Sequence, residues 1–129
     1  MKVLLVSPDP KSRQVMGLAV RGIARKIGGL PPVLLEATDG ERGIAVARGE
    51  QPDVIVADEI ASRAGAFALA HDLRNDMEPF PGVIVILLDR PQDVWLAKWS
   101  QADAWFVKPV DPFALADRVL ELTRAKEIA

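Results

Sequence analysis

The sequence predicts an α/β domain in which five strands form one parallel sheet with helices on both faces. Short apolar runs recur at intervals of about 20 to 30 residues: Val3 to Val6, Val33 to Leu35, Val54 to Ala57, Val83 to Leu88 and Trp105 to Val107. They show no polar alternation, which is the pattern of strands buried on both faces rather than half-buried ones. Each interval is long enough for one crossover helix and carries helix periodicity.

The first run, "VLLV", is too short for a signal peptide h-region or a membrane span and reads as a buried strand. It breaks into Ser7-Pro8-Asp9-Pro10, where Asp9 is a natural N-cap with proline at the first helical position. The helix that follows has an expected apolar stripe of Val15, Leu18, Ala19, Gly22 and Ile23, with Arg21 and Arg25 off it, and Gly28-Gly29 ends it. A loop through Pro31-Pro32 leads to the second strand, and Asp39-Gly40 opens a helix around Ile44 to Ala47. The third helix is alanine-rich, roughly Ala66 to Arg74, and Glu78 through Gly82 is a loop. A fourth helix is expected from about Pro91 to Ser100, and Asp111-Pro112 repeats the capping device before Leu115, Val119 and Leu122.

A chain of 129 residues is expected to form one domain, burying roughly two thirds of its unfolded surface. Its net charge of -2 supplies no basic excess to hold nucleic acid. There is no cysteine for disulfides and no apolar stretch long enough to cross a bilayer, so the cytoplasm is the expected location.

In doubly wound sheets the site lies beyond the carboxyl ends of the strands. The residues there are Ser7, Pro8 and Asp9 after the first strand, Asp58 and Glu59 after the third, Leu87, Leu88 and Asp89 at the fourth, and Lys108 and Pro109 after the fifth. The stretches "VLLVSPDPKSR", "EATDGERGIAVARGEQPDVIVAD" and "ADAWFVKPVDPFALADRVLEL", in this order and spacing, resemble the receiver domain of bacterial response regulators over essentially the whole chain. The resemblance implies a flavodoxin-like (βα)5 three-layer sandwich with strand order 2-1-3-4-5, working in two-component (phosphorelay) signal transduction. It implies Asp58 as the aspartate that accepts a phosphoryl group from a sensor histidine kinase, and Lys108 as the lysine that contacts the phosphate. Trp105 matches the aromatic that reorients on activation, and a cis peptide is implied at Lys108-Pro109. Related domains dock partners or dimerise through the fourth helix, fifth strand and fifth helix.

The chain departs from the family where a metal would bind. The resemblance implies two carboxylates where this sequence has Ser7 and Pro8, and a Thr or Ser where it has Leu87. Ala61-Ser62 replaces the usual Met-Pro, and a glycine expected eight residues past the aspartate comes one early, at Gly65. Mg²⁺ wants six hard oxygens and is normally held by one or two carboxylates plus substrate phosphate, so Asp58 alone is a poor cage. Asp9 and Glu59 are the weak candidates for a metal ligand; Asp9 reads first as a helix cap, Glu59 as a solvent-facing loop acid, and Asp89 as a cap for the fourth helix or a pocket residue. The expectation is therefore a degenerate receiver that needs no cofactor, Mg²⁺ entering only if it is phosphorylated in the conventional way. Its partners would be proteins, a sensor histidine kinase or a downstream effector, with neither nucleic acid nor membrane.

Trp95 and Trp99, four apart on the fourth helix, are expected to pack against the sheet, with a partner surface as the alternative. His71, the only histidine, is expected to be solvated, and no nucleophile triad or metal-ligand set can be built around it. A nucleotide- or flavin-binding domain is the rival from another class, but no Gly-rich turn follows the first strand.

Overall fold

A computed structural model describes residues 1–28, 31–59 and 65–128. The elements in chain order are β1 (Lys2–Val6), α1 (Pro10–Ile27), β2 (Val33–Ala37), α2 (Gly40–Glu50), β3 (Val54–Asp58), α3 (Ala66–Arg74), β4 (Val83–Leu88), a 3₁₀ turn (Pro91–Asp93), α4 (Val94–Trp99), β5 (Ala104–Val107) and α5 (Pro112–Glu127). The strands pair in parallel in the order β2-β1-β3-β4-β5, as the resemblance implied.

Alternation along the strands divides the core into two layers. Val3, Leu5, Val54, Val56, Val83, Val85 and Leu87 face α1 and α5, while Leu4, Val6, Ile55, Ala57, Ile84, Ile86 and Leu88 face α2, α3 and α4. The three Asp caps explain where helices begin. Asp9 accepts from the Lys11 N–H at 3.0 Å, Asp39 from Arg42 at 2.9 Å and Asp111 from Phe113 at 3.0 Å. Gly28 closes α1 in the left-handed region with φ 61°, a conformation that costs glycine little. Gly29, like Ala61-Ser62, lies outside the described residues. At the far end of the sheet, Arg74 donates to the carbonyls of Phe80 (2.6 Å) and Gly82 (3.0 Å) and to Asp103 Oδ2 (2.6 Å), which fixes the Glu78–Gly82 loop.

Several expectations need correction. The stripe of α1 that is buried is Met16, Ala19, Val20 and Ile23, and Leu18 is exposed, because the helix meets α5 and the sheet about one residue further round than the pattern suggested. β2 is apolar but is an edge strand, so Val33 and Leu34 remain in contact with solvent instead of being covered on both faces. The fourth helix starts as a 3₁₀ turn and has only Val94–Trp99 in α conformation. On it Ala97 is the buried residue, whereas Trp95 is 65% and Trp99 52% exposed, so the tryptophans do not pack into the core. His71 is half-buried, not solvated: its ring stacks on Trp99 with centroids 4.0 Å apart.

Candidate functional site

The carboxyl ends of β1, β3, β4 and β5 bring the sequence-predicted positions together. Asp58 is the last residue of β3 and is paired in register with Leu87 of β4. By strand alternation Ser7, Asp58 and Leu87 all fall on the α1 and α5 face. Lys108 follows β5 and is anchored by its N–H on the Leu88 carbonyl at 2.9 Å. The Lys108-Pro109 peptide is cis.

Asp58 is buried, and both of its oxygens are engaged. Oδ2 accepts from the Ser7 hydroxyl at 2.9 Å, and Oδ1 is ion-paired with the Lys108 ammonium. Ser7 is itself held: its Oγ accepts from the Asp9 N–H at 3.0 Å, and its carbonyl accepts from Arg13 Nη1 at 2.7 Å. Lys108 also meets Asp89 Oδ1 at 2.7 Å. Burial by itself lowers the pKa of the Lys108 ammonium, but the hydrogen bonds and charges of Asp58 and Asp89 outweigh that effect and hold it above its ordinary value. Asp89 is thus a pocket residue and not the cap of the fourth helix, whose 3₁₀ turn follows Arg90 with no side-chain cap.

The other acids face elsewhere. Asp9 is turned to the N-terminus of α1, where it accepts from Lys11. Glu59 is not a solvent-facing loop acid: it is half-buried and its Oε2 accepts from the Phe67 N–H at 3.2 Å, closing the start of α3. Burial raises its pKa; the backbone hydrogen bonds from Phe67 and Ala66 oppose that rise, and the charges of Asp89 and Asp58 add to it. A methyl on Gly65 would fall 2.5 Å from both Glu59 carboxylate oxygens, so the glycine makes room for this cap. Leu87 is enclosed in the apolar layer, and Pro8 is exposed at the rim. Trp105 is half-buried on the opposite face from Asp58, packed with the α2–α4 layer. Trp95 and Trp99 lie outside this pocket, and Trp99 stacks on His71 of α3.

Sequence reasoning missed Arg13. It lies in the first turn of α1 and reaches back to the Ser7 carbonyl, a contact set by the path of the chain between β1 and α1 and not by any local pattern in the sequence.

No family model matches the sequence. An uncharacterized response regulatory protein of Mycobacterium tuberculosis is 40% identical over 73 residues, covering 57% of this chain and 54% of that protein. Protein PilH of Pseudomonas aeruginosa is 34% identical over 80 residues, 60% of this chain and 66% of that one. The chain spans about half the length of the first of these. Among solved structures, the BeF3-activated receiver domain of Klebsiella pneumoniae RstA superposes with a TM-score of 0.71 at 27% identity, covering 96% of this chain and 99% of that one. Chemotaxis protein CheY4 of Vibrio cholerae gives 0.74 at 24% identity, covering 94% and 97%. The chain is similar in sequence to response regulators and has the fold of the CheY-like receiver domains.

Proposed function

We propose that this receiver domain acts through protein contacts, with Mg²⁺-dependent phosphoryl transfer to Asp58 weak or absent. The observation that carries the reading is the state of Asp58: a buried carboxylate whose oxygens are occupied by the Ser7 hydroxyl and the Lys108 ammonium. In phosphoryl transfer the protein positions the groups and neutralises charge on the phosphoryl oxygens, and the metal does much of the second task. Mg²⁺ gives up water reluctantly and asks for near-octahedral oxygens, usually including carboxylates. Here the segment after β1 offers a hydroxyl and a proline, Asp9 is committed to α1, Glu59 to α3 and Asp89 to Lys108. The donor set does not fit the ion. Loss of about 4 kcal/mol of transition-state stabilisation would slow the transfer roughly 10³-fold.

Leu87 supports the same reading. Where a hydroxyl would bind a phosphoryl oxygen, its apolar branch offers no partner and leaves that oxygen unsatisfied. The partners are then a sensor histidine kinase or a downstream effector that recognises the folded surface, and the chain carries no enzymatic activity of its own. A second reading, a conventional receiver with a rearranged pocket, is favoured by the retained juxtaposition of Asp58 and Lys108. Incubation with acetyl phosphate and Mg²⁺, read by intact mass, separates the two. An unchanged mass is the expected result; gain of one phosphoryl group that Asp58→Asn abolishes would establish the conventional reading instead.

A further inference from the structure

β2 forms one edge of the sheet, and its outer side is apolar and uncovered. Val33 is 53% and Leu34 40% exposed, and Leu18 of α1 is 50% exposed. The Val33 N–H donates to the Met1 carbonyl at 2.9 Å, and the Ala37 carbonyl accepts from the Ser7 N–H at 3.0 Å. Odd residues of β2 therefore turn their backbone toward β1, and the N–H and C=O groups of Leu34 and Glu36 point outward from the sheet. Their side chains, in register with Val3 and Leu5, lie on the α1 face. A groove of about 410 Å³ runs between α1 and β2, lined by Gln14, Gly17, Arg21, Leu34 and Glu36 among others. The groove is open at Gly17, where a methyl would meet nothing within 4 Å.

Sheet edges are commonly blunted by charge, proline, bulges or a covering segment. Within β2 the one charge is Glu36, which already lies beside Arg13 at 3.6 Å, and Pro31 and Pro32 precede the strand. Further along α1, Arg21 lines the same groove and makes no ion pair among the described residues.

We propose that this edge is a homodimer interface, in which β2 pairs antiparallel with β2 of a second copy about a two-fold axis at Leu35. Outward backbone groups at alternate positions call for another strand, and charge complementarity selects this same strand. In the proposed register Leu34 faces Glu36 of the second copy, so the outward groups of both residues are satisfied in each chain. The register carries the second copy's Glu36 down the groove from Arg13 to Arg21, giving the unpaired guanidinium a carboxylate. Leu34, and Leu18 one helical turn from both Gln14 and Arg21, meet their counterparts near the axis. The sheet becomes continuous through both copies, at the edge opposite the one formed by β5.

Sedimentation velocity of the full chain over a range of concentrations, combined with amide hydrogen exchange, tests this. A dimer is expected, with the Leu34 and Glu36 amides becoming protected as concentration rises. Leu34→Lys, at an exposed position, should weaken association about tenfold or more with the circular dichroism spectrum unchanged. Arg21→Glu should weaken it similarly, and Arg21→Lys, which keeps the charge, should weaken it less. A monomer at the highest soluble concentration overturns the proposal. So does a dimer that survives Leu34→Lys with both amides unprotected, or one lost only on Trp95→Ala and Trp99→Ala.

Discussion

Asp58 sits between a neutral donor and a charged one, and the two contribute differently. The Ser7 hydroxyl satisfies one carboxylate oxygen, and its removal in Ser7→Ala leaves a buried acceptor short of a partner, with an expected cost of roughly 1 to 3 kcal/mol. Lys108 neutralises the charge itself, so Lys108→Met strands a buried carboxylate and is expected to cost about 3 kcal/mol or more in urea unfolding. Adding Asp58→Asn to Lys108→Met should recover much of that loss, because neither charge then remains; a double variant as unstable as the single would contradict the pairing. Glu59 gives a prediction of the other sign. Its folded pKa is raised above the 4.5 of the free group, so the folded state holds this proton more tightly than the unfolded chain. Its contribution to stability is greatest below 4.5, falls as pH rises through the folded value, and is level above it. Glu59→Gln should remove that fall, seen as a flatter difference curve in urea midpoints measured from acid to neutral pH.

At the scale of elements, local chemistry explains what was legible. The Asp-Pro caps at Asp9 and Asp111 are written in adjacent residues and placed α1 and α5 correctly from the sequence. The ends of the first, third, fourth and fifth strands were legible to within a residue, though β2 runs two residues past the expected Leu35, and so the gathering of Ser7, Asp58, Leu87 and Lys108 followed from topology. What could not be read was rotation about a helix axis and the covering of an edge, since both depend on neighbours distant in sequence. The apolar side of α1 was placed one residue out, and β2 looked as buried as β3. On α4, paired tryptophans carry enough apolar area to suggest a core, yet the short helix buries Ala97 and leaves both rings exposed, Trp99 stacked on His71. Trp95→Ala is therefore expected to cost less than about 1 kcal/mol, and Trp99→Ala about 1, mainly from the lost ring stack. Gly43→Ala on α2 should cost more than Trp95→Ala despite adding a single methyl, because its Cβ would fall 2.6 Å from Leu69 Cδ1 and 3.1 Å from Val6 Cγ2. Thermal melts of the three variants rank them directly.

The whole molecule brings four strand ends to one point, and a receiver pocket requires all of them at once. The fold supplies Asp58 and Lys108, while the end of β1 leads into a hydroxyl and a proline, Ser7 and Pro8, and β4 places the apolar Leu87 beside them. If the scaffold is intact and only donors are missing, replacing them should restore the chemistry. The triple variant Ser7→Asp, Pro8→Asp, Leu87→Thr places two carboxylates and a hydroxyl beside Asp58. Without metal, crowding of like charges should destabilise it relative to the parent chain, since carboxylates sharing a site resist ionising together. Mg²⁺ should reverse that loss, because a ligand that binds only the folded state stabilises it by mass action. Calorimetric titration should then detect Mg²⁺ binding tighter than that of the parent chain, and acetyl phosphate should load Asp58 at a rate roughly 10³-fold higher. A triple variant that binds Mg²⁺ but takes no phosphoryl group would move the block from the metal site to access, since buried Asp58 is engaged by Lys108 as well as by Ser7.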